Sequence, residues 1–376
     1  MSLWSAARHV EIFPLPVRGR LAWLHQVAAR HDGGMTSLPS SRILDPLDAP
    51  AIRWGVLAPG GIARDWTAAL HATTASRVVA AGSRSLERAQ AFAAEFGVER
   101  SHGSYEALVA DGGVDAVYVA SPHSQHHEHA LLALGAGKPV LVEKAFTRNG
   151  VEATAVVEAA RAAGLLAVEA MWTRFLPHID VVRRCLEDGV LGEVKAVEAD
   201  HGQLLYPDGP RRLADPALAG GALLDLAIYP ISFAHLALGG FTAVRATGTL
   251  AETGVDASET VAVTGAQGAI GTLASTMLAK TPCSASISGA AARLEIDGWF
   301  YRPNTVRLVG LDDREIDRYE PPSREHGLAY EAAEFARLLA AGKTESDLLP
   351  LDETLRIMHV LDDVRAQLGV RFPGER

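Results

Sequence analysis

The chain has 376 residues, with 35 Lys and Arg against 45 Asp and Glu and a formal net charge of −10. That length exceeds the usual size of one hydrophobic core, which predicts two domains and excludes a small stapled scaffold. The acidic balance, with no stripe of Lys and Arg to follow a phosphate backbone, excludes nucleic acid as a partner. Cys185 and Cys283 are the only cysteines, too far apart for a Cys-x-x-Cys site, so they give neither a disulfide framework nor a zinc ribbon and fit a reducing, cytoplasmic setting.

Residues 1–50 are punctuated by Pro14, Pro16, Gly33, Gly34, Pro39, Pro46 and Pro50 and sustain no core pattern, so they read as a flexible N-terminal arm in which Met35 could be an alternative start. The first residues lack a basic start, an apolar core and a cleavage site, predicting no secretory signal. From residue 52 strands and helices alternate: strand Ile52–Ala58, helix Ile62–His71, strand Arg77–Gly82, helix Leu86–Phe96, strand Val114–Ala120, helix His126–Leu134, strand Val140–Val142, helix Val151–Ala163 and strand Leu165–Glu169. This alternation predicts a parallel sheet covered on both faces over residues 51–170. From 171 to 376 strands follow one another (194–200, 244–250, 259–264, 270–277, 284–289, 292–297, 305–308), predicting an α+β domain with a mostly antiparallel sheet, closed by helices Tyr330–Ala340 and Leu351–Gln367. The most apolar long stretch, Gly221–Phe241, carries Asp225 and His235, so no membrane span is expected.

The first strand runs into Ala58-Pro59-Gly60-Gly61-Ile62-Ala63, placed where a glycine-rich turn opens a helix and free amides cradle a pyrophosphate. The string is an imperfect fingerprint, since Ala58 stands where its first glycine would be; an ordinary strand-to-helix turn is the competing account. About twenty residues on, where an NAD enzyme places an acid, the chain has Ser83, Arg84 and Ser85. With no carboxylate to repel it, and with Arg84 and Arg88 to meet it, the 2′-phosphate of NADP is favoured over NAD.

Three further segments carry candidate chemistry. Ser121-Pro122-His123-x-x-His126 follows a buried strand, at the end where open α/β sheets bind ligands. Its four histidines at 123, 126, 127 and 129 have no matching acid or cysteine nearby, so no metal site is expected. Glu143-Lys144 ends the next strand: the lysine can act in proton transfer or stabilise an alkoxide, and a structural salt bridge is the alternative. Gly220-Gly221 precede a helix on which Asp225 and Tyr229, four apart, share a face suited to a polyol or a proton relay. A buried, satisfied Asp–Tyr pair is the bland reading.

In this order the segments resemble the glucose-fructose oxidoreductase, inositol dehydrogenase and rhizopine-catabolism (Gfo/Idh/MocA) family, from about residue 52 to 370. The run Glu169-Ala170-Met171-Trp172-Thr173-Arg174-Phe175, with Tyr229 where inositol dehydrogenases carry histidine, is similar to the branch holding dimeric dihydrodiol dehydrogenase and NADP-dependent D-xylose dehydrogenase. The resemblance implies a Rossmann domain and a second domain whose large open sheet makes dimer or higher homo-oligomer contacts. It implies cofactor contacts at Ala58, Gly60, Gly61, Ile62, Ser83, Arg84, Arg88, Ser121, Pro122, His123, His126, Glu143 and Lys144. Lys144 would meet nicotinamide ribose and substrate hydroxyl, Tyr229 would transfer the proton or share that role, Asp225 would orient the substrate, and Trp172 and Arg174 would line the cleft. The expected activity is NADP-dependent oxidation or reduction at a secondary alcohol or carbonyl of a sugar, polyol or cyclic diol. Two departures are Ala58 for glycine and Ala145 for the proline that follows the lysine. A non-catalytic NADP-dependent sensor of the same fold is the alternative, and transient-oxidation cleavage of a glycosidic bond with permanently held NAD is a third reading.

Overall fold

In a computed structural model, residues 37–323 and 325–375 are described. Expectations for residues 1–36, the alternative start at Met35 included, lie outside them.

The strands β1 (Arg53–Leu57), β2 (Arg77–Gly82), β3 (Arg100–His102), β4 (Ala116–Val119), β5 (Val140–Glu143) and β6 (Ala167–Ala170) form a wholly parallel sheet in the order β3-β2-β1-β4-β5-β6. Crossovers run through α1 (Gly61–Thr73), α2 (Leu86–Phe96), α3 (Tyr105–Val109), α4 (His126–Gly135) and α5 (Gly150–Ala163). Because β4, β5 and β6 are buried on both faces, they read as continuous apolar runs rather than alternating ones. The order reverses between β1 and β4, so the residues just after them, Ala58 and Ala120-Ser121, flank the switch point where ligands bind in such sheets.

After α6 (Pro177–Glu187) comes the eight-stranded sheet: β7 (Val194–Gly202), β8 (Ala243–Leu250), β9 (Asp256–Thr264), β10 (Ile270–Thr276), β11 (Ala285–Gly289), β12 (Ala292–Ile296), β13 (Val306–Gly310) and β14 (Glu315–Tyr319). Its order is β14-β13-β12-β11-β7-β10-β9-β8, antiparallel except for the β7–β10 pair. One face packs on α7 (Ile228–Leu238), while the other carries small polar residues such as Thr247, Thr260, Thr272 and Ser286. The helices α8 (Ala329–Ala340) and α9 (Leu351–Leu368) pack back toward α1, α5 and β8. One stretch, Pro216–Leu238, is long and apolar enough to span a membrane by composition alone; 89% of its apolar window is buried within the protein, as core helices are.

The two-sheet architecture follows the expectation; four elements were not foreseen. Strands β3 and β14 are edge strands with polar sequences, Arg-Ser-His and Glu-Ile-Asp-Arg-Tyr, which suits an edge and erases the apolar signal. The five-residue α3 is too short for a helical period. In α6 the signals were present, proline in the first turn and a buried Ile179, Val181, Val182, Cys185 face.

The flexible-arm expectation needs correction over residues 37–50. Leu38 N–H donates to Asp317 (2.7 Å), Arg42 bridges Asp180 and Glu187 (2.7 and 2.9 Å), and Arg337 reaches the Asp45 carbonyl (2.6 Å). Proline removes donors and fixes φ, which suits an extended strap held by side chains of the body it crosses.

Candidate active site

The turn after β1 places Ala58 at φ 61°, left-handed backbone that favours glycine. Helix α1 then starts from Gly60 with no side-chain cap, so its first amides are open to a ligand. A Cβ added at Gly61 would meet nothing within 4 Å, so there is room for a pyrophosphate. Ile62 is 37% exposed beside it. Ser83 accepts from Ser85 N–H (3.2 Å), and Ser85 caps α2 through Arg88 N–H (3.3 Å), which leaves the exposed side chains of Arg84, just after β2, and Arg88, in the first turn of α2. Open amides, space and two cations fit a dinucleotide carrying a 2′-phosphate. Ala58→Gly should tighten NADPH binding severalfold, by about 1 kcal/mol, because it removes a left-handed alanine and lets the backbone approach. Equilibrium titration of NADPH fluorescence checks it; an unchanged or weaker affinity would contradict that account of the turn.

The histidines after β4 face protein rather than open cleft. His123 is 4% exposed, with its ring nitrogens against the carbonyls of Ala219 (3.1 Å) and Lys144 (3.2 Å); His126 is 1% exposed, against those of Ala145 (2.8 Å) and Ser121 (2.6 Å). Burial pushes them down to about 3 and about 4 respectively, although carbonyl contacts favour charged His126. Both therefore brace the loop that carries Lys144.

Adjacent residues on a strand point to opposite sides, and this separates Glu143 from Lys144. Glu143 turns inward, 5% exposed, and accepts from the Tyr118 hydroxyl; burial raises it to about 7. The competing account of a Glu143–Lys144 salt bridge finds no support among the described residues, where Glu143 bonds Tyr118 and Lys144 pairs with Asp225. Lys144, whose peptide to Ala145 is cis, instead reaches the second domain. Its Nζ donates to the Asp225 carbonyl (2.8 Å) and Oδ1 (3.3 Å) and lies 5.0 Å from the centre of the Tyr229 ring.

The segment bearing Asp225 and Tyr229 is anchored from below. Asp256 Oδ2 accepts from Leu223 N–H (2.5 Å), and Gly221, at φ 112°, leaves space for that carboxylate: a Cβ there would lie 2.4 Å from Asp256. The expected plain α-helix begins instead with a wider π turn over Leu223–Ala227, a form frequent at functional sites, before α7. Burial would raise Asp225, but Lys144 and Arg212, the latter at 2.9 Å, hold it well below the usual carboxylate range. Tyr229 is pushed up by burial and accepts from Trp172 Nε1 (3.0 Å), so it stays a neutral phenol with a proton to give. His201 stacks on Tyr301 at 4.1 Å and faces Tyr229 at 5.0 Å. Burial and Lys144 lower it to about 3, which suits a neutral ring accepting from the Gln203 amide (2.8 Å).

Arg174 does not line the cleft. It is 2% exposed and bonds Glu353 (3.0 Å), Ser232 Oγ (3.3 Å) and the Leu348 carbonyl (3.3 Å), while His235 holds the same Glu353 oxygen (2.9 Å). The tight turn Trp172–Phe175 explains the split, since residues two apart in a 3₁₀ turn project in different directions. Arg212, Tyr301 and Tyr118 were missed: no short motif marks them, and only the Arg211-Arg212 pair ahead of Gly220 offered a signal.

Glu169, also buried, accepts from Phe146 N–H (3.2 Å) and the Thr354 hydroxyl (3.0 Å), tying the loop after Lys144 to α9. Burial raises it from 4.5 to about 7. Its contribution to stability is therefore full below about pH 4.5 and is lost as pH rises through 7. Between pH 4.5 and 8 the stability difference between wild type and Glu169→Gln should move by about 3 kcal/mol in favour of the variant. Urea unfolding at several pH values measures this; a flat difference would show that Glu169 folds ionised.

Residues 52–170 match an oxidoreductase family with an NAD-binding Rossmann fold, Gfo/Idh/MocA, and residues 179–298 match the C-terminal domain of that family. The chain belongs to the Gfo/Idh/MocA oxidoreductases. Trans-1,2-dihydrobenzene-1,2-diol dehydrogenase of Bos taurus is 34% identical over 336 residues, covering 87% of this chain and 99% of the relative. The Homo sapiens enzyme is 33% identical over 335 residues, with the same coverage. Among solved structures, KijD10, a 3-ketoreductase from Actinomadura kijaniata in complex with NADP and TDP-benzene, has a TM-score of 0.75 at 29% identity, covering 85% of this chain and 98% of that one. The aldose-aldose oxidoreductase of Caulobacter crescentus, at 23% identity and a TM-score of 0.76, shares the fold. As a family member this chain is an oxidoreductase, and the fold and family expected from its sequence are those found.

Proposed function

We propose that this oxidoreductase uses NADP to interconvert a secondary alcohol and its carbonyl on a sugar, polyol or cyclic diol. The observation that carries the reading is the convergence of Lys144, from the end of β5, with Asp225 and Tyr229, from the π turn and α7. When bound, the nicotinamide supplies the hydride donor or acceptor. The α1 amides hold the pyrophosphate, and Arg84 and Arg88 hold the 2′-phosphate. Asp225 fixes the Lys144 ammonium beside the reacting oxygen, where its charge steadies a developing alkoxide and its proton can be exchanged. Tyr229, a neutral phenol, donates a hydrogen bond to the same oxygen, and Trp172 fixes its hydroxyl. Residues 51–170 thus serve the cofactor and 171–376 the substrate and assembly.

The open sheet face, with its small side chains and Ile270 57% exposed, supports association of two or more copies through that face. Light scattering on a sizing column reads this out. Cys185 and Cys283 are buried, free thiols, as suits a reducing cytoplasm. Arg84→Ala with Arg88→Ala should weaken NADP by about 10- to 100-fold and NAD by far less; equal losses would remove the basis for preferring NADP. The reading itself is tested with a panel of sugars, polyols and diols. At least one should change nicotinamide absorbance with NADP, whereas strong stabilisation by NADP without turnover anywhere on the panel would favour a sensor.

A further inference from the structure

Beyond Tyr229 a chain of aromatic rings leads to a pair of exposed cations that the proposed mechanism does not use. Tyr301 lies 4.9 Å from Tyr229, and Trp299 lies 5.8 Å from Tyr301. Lys280 Nζ and the Arg302 guanidinium both sit against the Trp299 ring, 5.2 and 4.5 Å from its centre, and Arg302 also reaches Tyr301 at 5.9 Å. The two come from separate loops, after β10 and after β12, and both are exposed. Among the described residues neither has a carboxylate in ion-pair contact, although most arginines on this sheet do. Gly327 packs between this rim and Trp172: a Cβ on it would lie 2.6 Å from Trp172 and 2.9 Å from Pro303, the neighbour of Arg302.

Each cation gains from the ring face, and an oxyanion at this rim would gain charge-assisted contacts that neither cation finds in a carboxylate of the protein. A flat indole carrying two cationic donors beside aromatic residues suits an oxyanion attached to a ring-shaped substrate. We infer that Lys280 and Arg302, both held against Trp299, form a subsite for a carboxylate or phosphate group on the substrate, at the end remote from the carbon facing Lys144. The inference rests on the proposed sugar or diol chemistry and narrows it to anionic members of that class.

The test is calorimetric titration of the NADP-saturated protein, at low salt, with three probes of one ring shape: glucose, glucuronate and glucose 6-phosphate. One or both anions should bind at least tenfold more tightly than glucose, the better anion showing whether carboxylate or phosphate fits. The ratio should fall toward one in Lys280→Gln/Arg302→Gln and at high salt. Both side chains are exposed, and an unchanged melting temperature would verify that the variant is folded. Equal affinity for all three probes, no binding of either anion, or an anion preference untouched by the double substitution would each overturn the inference. Such a failure is distinct from failure of the proposed function, which would show as no turnover on the neutral panel.

Discussion

Lys144→Met should lower kcat by about 10³-fold while NADPH still binds, because it removes the group proposed to handle the proton and stabilise charge and leaves the turn proposed for the phosphates intact. The partner groups determine how the loss is distributed. Lys144 is fixed by two oxygens of Asp225, so Asp225→Asn should also lower kcat, with Arg212 then lacking its acceptor charge. Steady-state kinetics with matched NADPH titration separates these roles. A Lys144→Met protein that turns over at the wild-type rate would remove the lysine from the mechanism, whatever the family resemblance.

The second large effect falls on stability. Arg174→Met should cost about 3–5 kcal/mol, since it leaves Glu353, with His235, buried without its guanidinium partner. Replacing Glu353 as well, in Arg174→Met/Glu353→Met, should recover much of the loss because no unpaired charge then remains inside. Denaturant unfolding supplies the free energies. The same variants decide the role of Arg174: the folded fraction should keep the wild-type KM, whereas a raised KM at unchanged stability would return this arginine to the cleft.

These two residues also show how far the sequence could be read. The position of Lys144 was legible because a lysine at the end of a parallel strand sits in a short, ordered motif, and strand ends face the ligand in such sheets. Arg174 was misplaced because the same motif run, Trp172 to Phe175, winds as a 3₁₀ turn, so its members face different ways. Glu143 differs for a related reason: the pleat of β5 sends it inward to Tyr118 while its neighbour points outward. Strand-helix alternation disclosed the parallel sheet because buried strands are apolar throughout. The polar edges β3 and β14 carried no such pattern, and the strap at residues 37–50 is held by side-chain contacts with Asp180 and Asp317, more than 100 positions distant, which no local window contains. The π turn at Leu223–Ala227 likewise has no composition of its own; its capping acid, Asp256, lies on another strand.

The central claim, that the cleft beside Lys144 hosts direct hydride exchange between an alcohol carbon and NADP, is tested most directly with isotope. The fastest panel substrate is deuterated at its carbinol carbon, oxidised with NADP in ordinary water, and the NADPH formed is weighed by mass spectrometry. The account predicts one deuterium in each NADPH; NADPH without deuterium would contradict it.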